Sequence, residues 1–175
     1  MLLIVWIYNS KPFLLSRKPF ASLIILALSY STIPLLYGYY LNLGLKINNY
    51  FIYLIIFWFL IRISVSILKD YKDEVGDKIY SKKTFYLVFG NKRTALVSVL
   101  FFCLGSLGII YMLFMIRGIS FLFILPIIFF FKNLYLRLQL FKTSEVKKLT
   151  YIFHKIFFGQ NQFDLMLLLC LIFLK

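Results

Sequence analysis

Asp70, Asp73 and Asp77 are the residues of this chain whose spacing most plainly suggests chemistry. They stand at i, i+3 and i+7. On a helix, at about 100° per residue, that spacing stacks three carboxylates along one face over two turns. Like charges so close repel, so the row needs a positive partner, either a lysine or a divalent cation. Hard oxygen donors suit Mg²⁺, which keeps several waters and bridges to a phosphate rather than filling an all-protein cage. Lys82 and Lys83 follow closely and offer point charges to such a phosphate. Tyr71, Tyr80 and Tyr86 could turn π faces toward a carbocation, although interfacial tyrosines commonly serve as anchors. The other reading is an interfacial network in which the carboxylates pair with the many lysines around them.

The elements that must position this row are apolar on a scale that only a bilayer explains. Of 175 residues, 62% are hydrophobic and 21% aromatic, and the mean hydropathy is +0.90, outside the range of soluble domains. Runs of about 18 or more apolar residues read as membrane spans. Full spans are expected at 20–41, 50–68 and 94–116, and a shorter one at 119–131. A final span at 156–174 closes the chain if its helix begins early enough to include Gln160 to Asp164. Pro34 should kink the first span. Ser98, Gly105, Ser106 and Gly108 suit close helix packing in the third. Residues 69–93 are expected as an aspartate-rich loop. The fold class is therefore all-α, a polytopic transmembrane helical bundle forming a single membrane domain over 1–175.

The net charge of +14 would fit a phosphate-binding surface. Its cations, however, lie between apolar spans rather than on one polar domain, which argues against nucleic acid. Cys103 and Cys170 fall in apolar segments and define neither a disulfide nor a metal framework. Basic residues alternate between heavy and light joints. Lys11, Arg17 and Lys18 precede the first span, and Lys46 alone follows it. Lys69, Lys72, Lys78, Lys82, Lys83, Lys92 and Arg93 crowd the acidic stretch, and Arg117 alone occupies the next turn. Six more lie between Lys132 and Lys155. By the positive-inside rule the aspartate row faces the cytoplasm. Arg62, inside the second span, is either functional or paired with a neighbouring helix.

The segments KDYKDEVGD and KKTFYLVFG together resemble the second aspartate-rich motif of the UbiA superfamily of intramembrane prenyltransferases. That motif reads KD-x-x-D-x-x-GD, then a Gly/Lys-x-Thr turn and a terminal glycine. Lys69, Asp70, Asp73, Gly76, Asp77, Lys83, Thr84 and Gly90 fall in register. Upstream, the stretch from Tyr8 to Arg17 is similar to the family's YS-x-PP-x-RLKR joint. Tyr8, Pro12, Leu15 and Arg17 agree, whereas Lys11, Leu14 and Ser16 replace a Pro, an Arg and a Lys.

The resemblance implies transfer of a prenyl group from a prenyl diphosphate to an aromatic or lipid acceptor, with Mg²⁺ as cofactor. It implies Asp70, Asp73 and Asp77 as catalytic metal ligands, with Lys69, Lys83 and Arg17, which fall on its motifs, binding substrate. Lys82, beside the row, and Arg62, inside the second span, are added as substrate-binding candidates from their positions alone. No acidic residue precedes Asp70, so the family's first motif, of N-D-x-x-D type, is missing. The chain thus resembles the family's second half, the opening eight apolar residues being the tail of a helix. The expectations are a split gene product, a truncated reading frame, or a half whose partner chain supplies the first motif. The competing expectation is a non-catalytic membrane protein, or remnant, whose basic joints bind lipid head groups.

Overall fold

The computed structural model describes residues 6, 8, 10, 15–43, 49–117 and 123–173. Every regular element among them is helical. A short 3₁₀ turn, Leu15–Arg17, leads into α1 (Pro19–Ala27), a π turn (Leu28–Thr32) and α2 (Ile33–Leu43). Then follow α3 (Asn49–Ile79), α4 (Phe85–Arg117), α5 (Ile124–Gln139) and α6 (Val146–Phe173). Among the described residues, four helical stretches are long and apolar enough to cross a bilayer: Pro19–Gly38, Asn49–Ile79, Phe85–Ile116 and Ile124–Lys142.

The π turn has a local cause. Pro34 has no amide hydrogen, and its ring crowds the carbonyl four residues back, so the turn before it widens. Ser29 and Ser31 reinforce the distortion by donating to the carbonyls of Ile25 and Ala27, at 2.8 Å each.

Residues 69–93, expected as a loop, are mostly helix. α3 runs on to Ile79 and α4 begins at Phe85, leaving only residues 80–84 between them. At 1.5 Å per residue α3 is about 46 Å long, well beyond the roughly 30 Å of hydrocarbon. The excess length carries the aspartates. Likewise the expected basic joint from Lys132 to Lys155 is largely helix, broken only around 140–145. The span expected at 119–131 continues to Gln139, because Arg137 is taken into the bundle rather than left outside it. Gly44, Lys46, Gly118 and residues 119–122 lie outside the described residues, as do Lys11, Pro12, Leu14, Leu174 and the Cys170 side chain.

α3 and α4 pack closely, and two glycines permit it. A Cβ on Gly105 would fall 2.6 Å from the Phe57 carbonyl oxygen, and one on Gly108 would fall 2.4 Å from the Phe57 ring. Further along the same seam, Ser64 Oγ donates to the Ser98 carbonyl at 2.8 Å. The core beside it gathers Ile61, Phe102, Ile109 and Phe163, with Phe102 stacked on Phe130 at 5.4 Å between centroids. On the opposite face of α4, Leu96, Leu100, Leu104, Leu107 and Tyr111 form an exposed stripe at helical spacing. In a bilayer that stripe meets lipid.

Buried polar groups tie four helices together. The Arg137 guanidinium is fully buried and lies 3.9 Å from the centroid of the Phe102 ring. It donates to Ser64 Oγ at 3.3 Å, Asn133 Oδ1 at 3.3 Å and Gln160 Oε1 at 3.4 Å. Gln160 in turn donates to Asp164 Oδ1 at 2.9 Å, and the other Asp164 oxygen accepts from Arg62 at 2.8 Å.

Candidate metal and diphosphate site

The three aspartates lie on the last turns of α3, and their surroundings differ. Asp70 Oδ2 accepts the backbone amide of Phe85 at 3.0 Å, placing a carboxylate at the first turn of α4. A negative group there satisfies an amide that the helix leaves open and complements its dipole. Asp77 is buried and meets Lys82 Nζ at 3.2 Å, while its carbonyl accepts the Lys82 amide at 2.9 Å. Asp70 and Asp77 thus clasp the short turn between α3 and α4. Asp73 is half-buried and has no hydrogen-bond or ion-pair partner among the described residues.

Glu74, which lies outside the motif, is nevertheless more buried than Asp73. It pairs with Lys78 one turn on, and its second oxygen has no partner. The i, i+4, i+7 positions 70, 74 and 77 point inward here, a choice the sequence alone leaves open because Glu74 sits only about 60° from Asp77 on the helical wheel.

Beneath the row lies a cavity of about 420 Å³ between α1, the π turn, α3 and α6. Its polar lining includes Tyr30, Arg62, Ser66, Lys69, Lys72 and His154, and the rest is apolar. Arg62, Ser66 and Lys69 share a face of α3, and Asp73 continues that face one turn beyond Lys69. Arg62 is also the partner of Asp164, the pairing with a neighbouring helix that its place inside the span allowed, and it lines the cavity as well.

Tyr8 joins the site from upstream. Burial holds its hydroxyl above the usual tyrosine range. The negative charges of Asp70 and Asp77, then Tyr30 and Asp73, push the same way. Tyr8 is therefore within electrostatic reach of all three aspartates, bringing part of the upstream motif to the downstream one. Arg17 is exposed, as is Lys83, and neither pairs with a carboxylate among the described residues. The three tyrosines do not converge. Tyr71 is fully buried and donates to Asn91 Oδ1 at 2.8 Å, Tyr86 packs edge-on against it at 4.9 Å, and Tyr80 points out with 68% of its surface exposed.

Among the described residues no three His, Cys, Asp or Glu side chains converge as a cage for a metal ion. The donor set still fits Mg²⁺, which characteristically takes one or two carboxylates and completes its shell with water and substrate phosphate. Asp73, with no partner, and Asp77, held by a single lysine, are two such donors one helical turn apart.

The model of the UbiA prenyltransferase family matches residues 1–161. The chain belongs to that family, and with its apolar helices it is a multi-pass integral membrane protein. No curated protein and no solved structure matches it closely enough to be counted as a relative.

Proposed function

We propose that this protein transfers a prenyl group from a prenyl diphosphate to an electron-rich acceptor, at the end of α3 that faces the cytoplasm. The supporting observation is the placement of Asp73, and beside it Asp77, directly beyond a cationic cavity with apolar walls. A diphosphate head and a hydrocarbon tail need those two environments side by side. Asp73 and Asp77 hold the metal, and Asp70 fixes the turn that presents them. Lys82 and Lys83 at the turn, Lys69 and Arg62 at the cavity wall, and Arg17 at the mouth neutralise diphosphate charge.

Mg²⁺, when bound, supplies charge stabilisation to the departing diphosphate. The allylic carbon–oxygen bond breaks with its electron pair going to diphosphate. The acceptor atom then forms the new bond to the allylic carbon and releases its proton. The apolar walls keep water from capturing the cation first.

The test is binding of a radiolabelled prenyl diphosphate to the purified chain in detergent. Binding should require Mg²⁺ and disappear on addition of EDTA. Binding that persists in EDTA would leave only attraction to lysines and remove the metal from the site.

A further inference from the structure

We propose that the basic end of the bundle carries a site for an anionic phospholipid, separate from the aspartate row. Two hollows meet there, and they differ in character. One, of about 630 Å³, is a groove between α1, α3 and α4 walled by Phe20, Leu23, Ile63, Ile67, Leu96 and Phe101. The other, also about 630 Å³, lies between the start of α4 and the α5–α6 joint, and Lys92, Lys142, Thr143 and Ser144 line it. Phe89 and Arg93 line both. An apolar channel thus opens into a cationic, hydroxyl-bearing cleft, with an arginine at the junction. A phospholipid has the same two parts, in the same order.

Charge and length both favour that occupant. Lys92, Arg93 and Lys142 are exposed, and none pairs with a carboxylate among the described residues. The nearby Glu145 is engaged by Lys148 at 2.9 Å. Neither hollow is lined by an aspartate or glutamate, so neither offers the metal-binding donors that a prenyl diphosphate would use. Arg93 and Phe101 are eight residues apart on α4, or about 12 Å. That is most of the roughly 15 Å depth of one leaflet's hydrocarbon. An acyl chain can therefore follow the groove while the phosphate sits among the three cations. The backbone shapes the junction. Gly90 adopts φ 75°, a left-handed conformation that costs other residues strain, and it turns the first residues of α4 away from the axis of the rest. Asn91 fixes the far wall by donating to the carbonyls of Leu140 at 2.8 Å and Thr143 at 2.6 Å. Basic pockets of this kind between transmembrane helices hold acidic head groups.

The test reconstitutes the full chain in vesicles of equal phosphatidylglycerol and phosphatidylcholine, extracts it in mild detergent, and measures co-purifying lipid by native mass spectrometry. Wild type should retain phosphatidylglycerol over phosphatidylcholine by on the order of tenfold. R93Q/K142Q should bring the ratio near one, whereas K147Q/K155Q, removing equal charge elsewhere on the same end, should leave it unchanged. Leu96→Trp, which fills the groove without altering charge, should also abolish retention. An equal loss in both charge variants would reduce the preference to general surface charge and overturn the site. Retention unaffected by Leu96→Trp, or displaced by inorganic phosphate alone, would overturn the phospholipid as occupant. Absence of any preference in wild type would overturn the proposal outright. Prenyl diphosphate binding is read separately and does not depend on the result.

Discussion

Arg62 and Asp164 are 102 positions apart in the chain and meet at 2.8 Å, joining α3 to α6 inside the bundle. Asp164 also holds Gln160, which reaches the buried Arg137, so one carboxylate serves two intramembrane cations. Asp164→Ala should lower thermal stability in detergent by on the order of 2–4 kcal/mol, because it leaves Arg62 without its partner. The double variant R62M/D164L should recover much of that loss. A double variant no more stable than Asp164→Ala would show that the pair contributes through packing and not charge.

The aspartates should separate by their contacts. Asp73→Ala should abolish Mg²⁺-dependent prenyl diphosphate binding and cut any transfer by about a thousandfold or more. It should leave the melting temperature unchanged, since Asp73 touches no partner. Asp77→Ala should lose function and some stability together. Asp70→Ala should show a smaller functional loss and a clear stability loss, from the uncapped start of α4. Glu74→Gln should bind substrate nearly normally. If Asp73→Ala binds as wild type does, the row is an interfacial ion-pair network.

Helix contact at the two packing glycines should respond unequally. The group facing Gly105 is backbone, which can yield only if a helix moves, whereas Gly108 faces a side-chain ring. Gly105→Ala should therefore cost more than Gly108→Ala, within the 1–3 kcal/mol typical of overpacking. Phe57→Ala should rescue Gly108→Ala and not Gly105→Ala. Thermal midpoints of the four variants decide it.

Orientation can be read at Ser81, an exposed residue of the α3–α4 turn with φ 50°. Ser81→Cys, with Cys103 and Cys170 replaced by alanine, should react with an impermeant maleimide only from the cytoplasmic side. Labelling from outside would invert the topology and move the proposed site to the wrong compartment for its substrate.

The sequence made the bundle legible because 18-residue apolar runs leave few alternatives, and Pro34 and the α4 glycines carried their effects locally. It also exposed the aspartate row, whose spacing repeats the helical period. Where chain composition changes without the helix ending, composition marks the end too soon: α3 continues through its charged turns because Asp70 and Asp77 anchor the next helix to it. Arg137 falls, by composition, in a basic joint, because its partners, Ser64, Asn133 and Gln160, are uncharged and two of them lie far off in sequence. Burial of Glu74 was equally invisible, since a rotation of some tens of degrees decides it and only packing against α4 sets that rotation. Tyr8 could be tied to the aspartates only by family resemblance.

One consequence follows from how the helices are fastened. Tyr71, Asn91 and the carbonyls of Leu140 and Thr143 form a continuous chain of hydrogen bonds that locks the α3–α4 corner to the α5–α6 corner. α1 and its π turn have no such fastening among the described residues. Their serines bond back to their own helix, and Leu23 and Ala27 meet Ile63, Ile67 and Phe85 through apolar contact alone. Lipid tails solvate such a surface about as well as the protein does. The bundle therefore has one side fastened by hydrogen bonds and one held by apolar contact, and α1, on the second side, walls both the cationic cavity and the apolar groove.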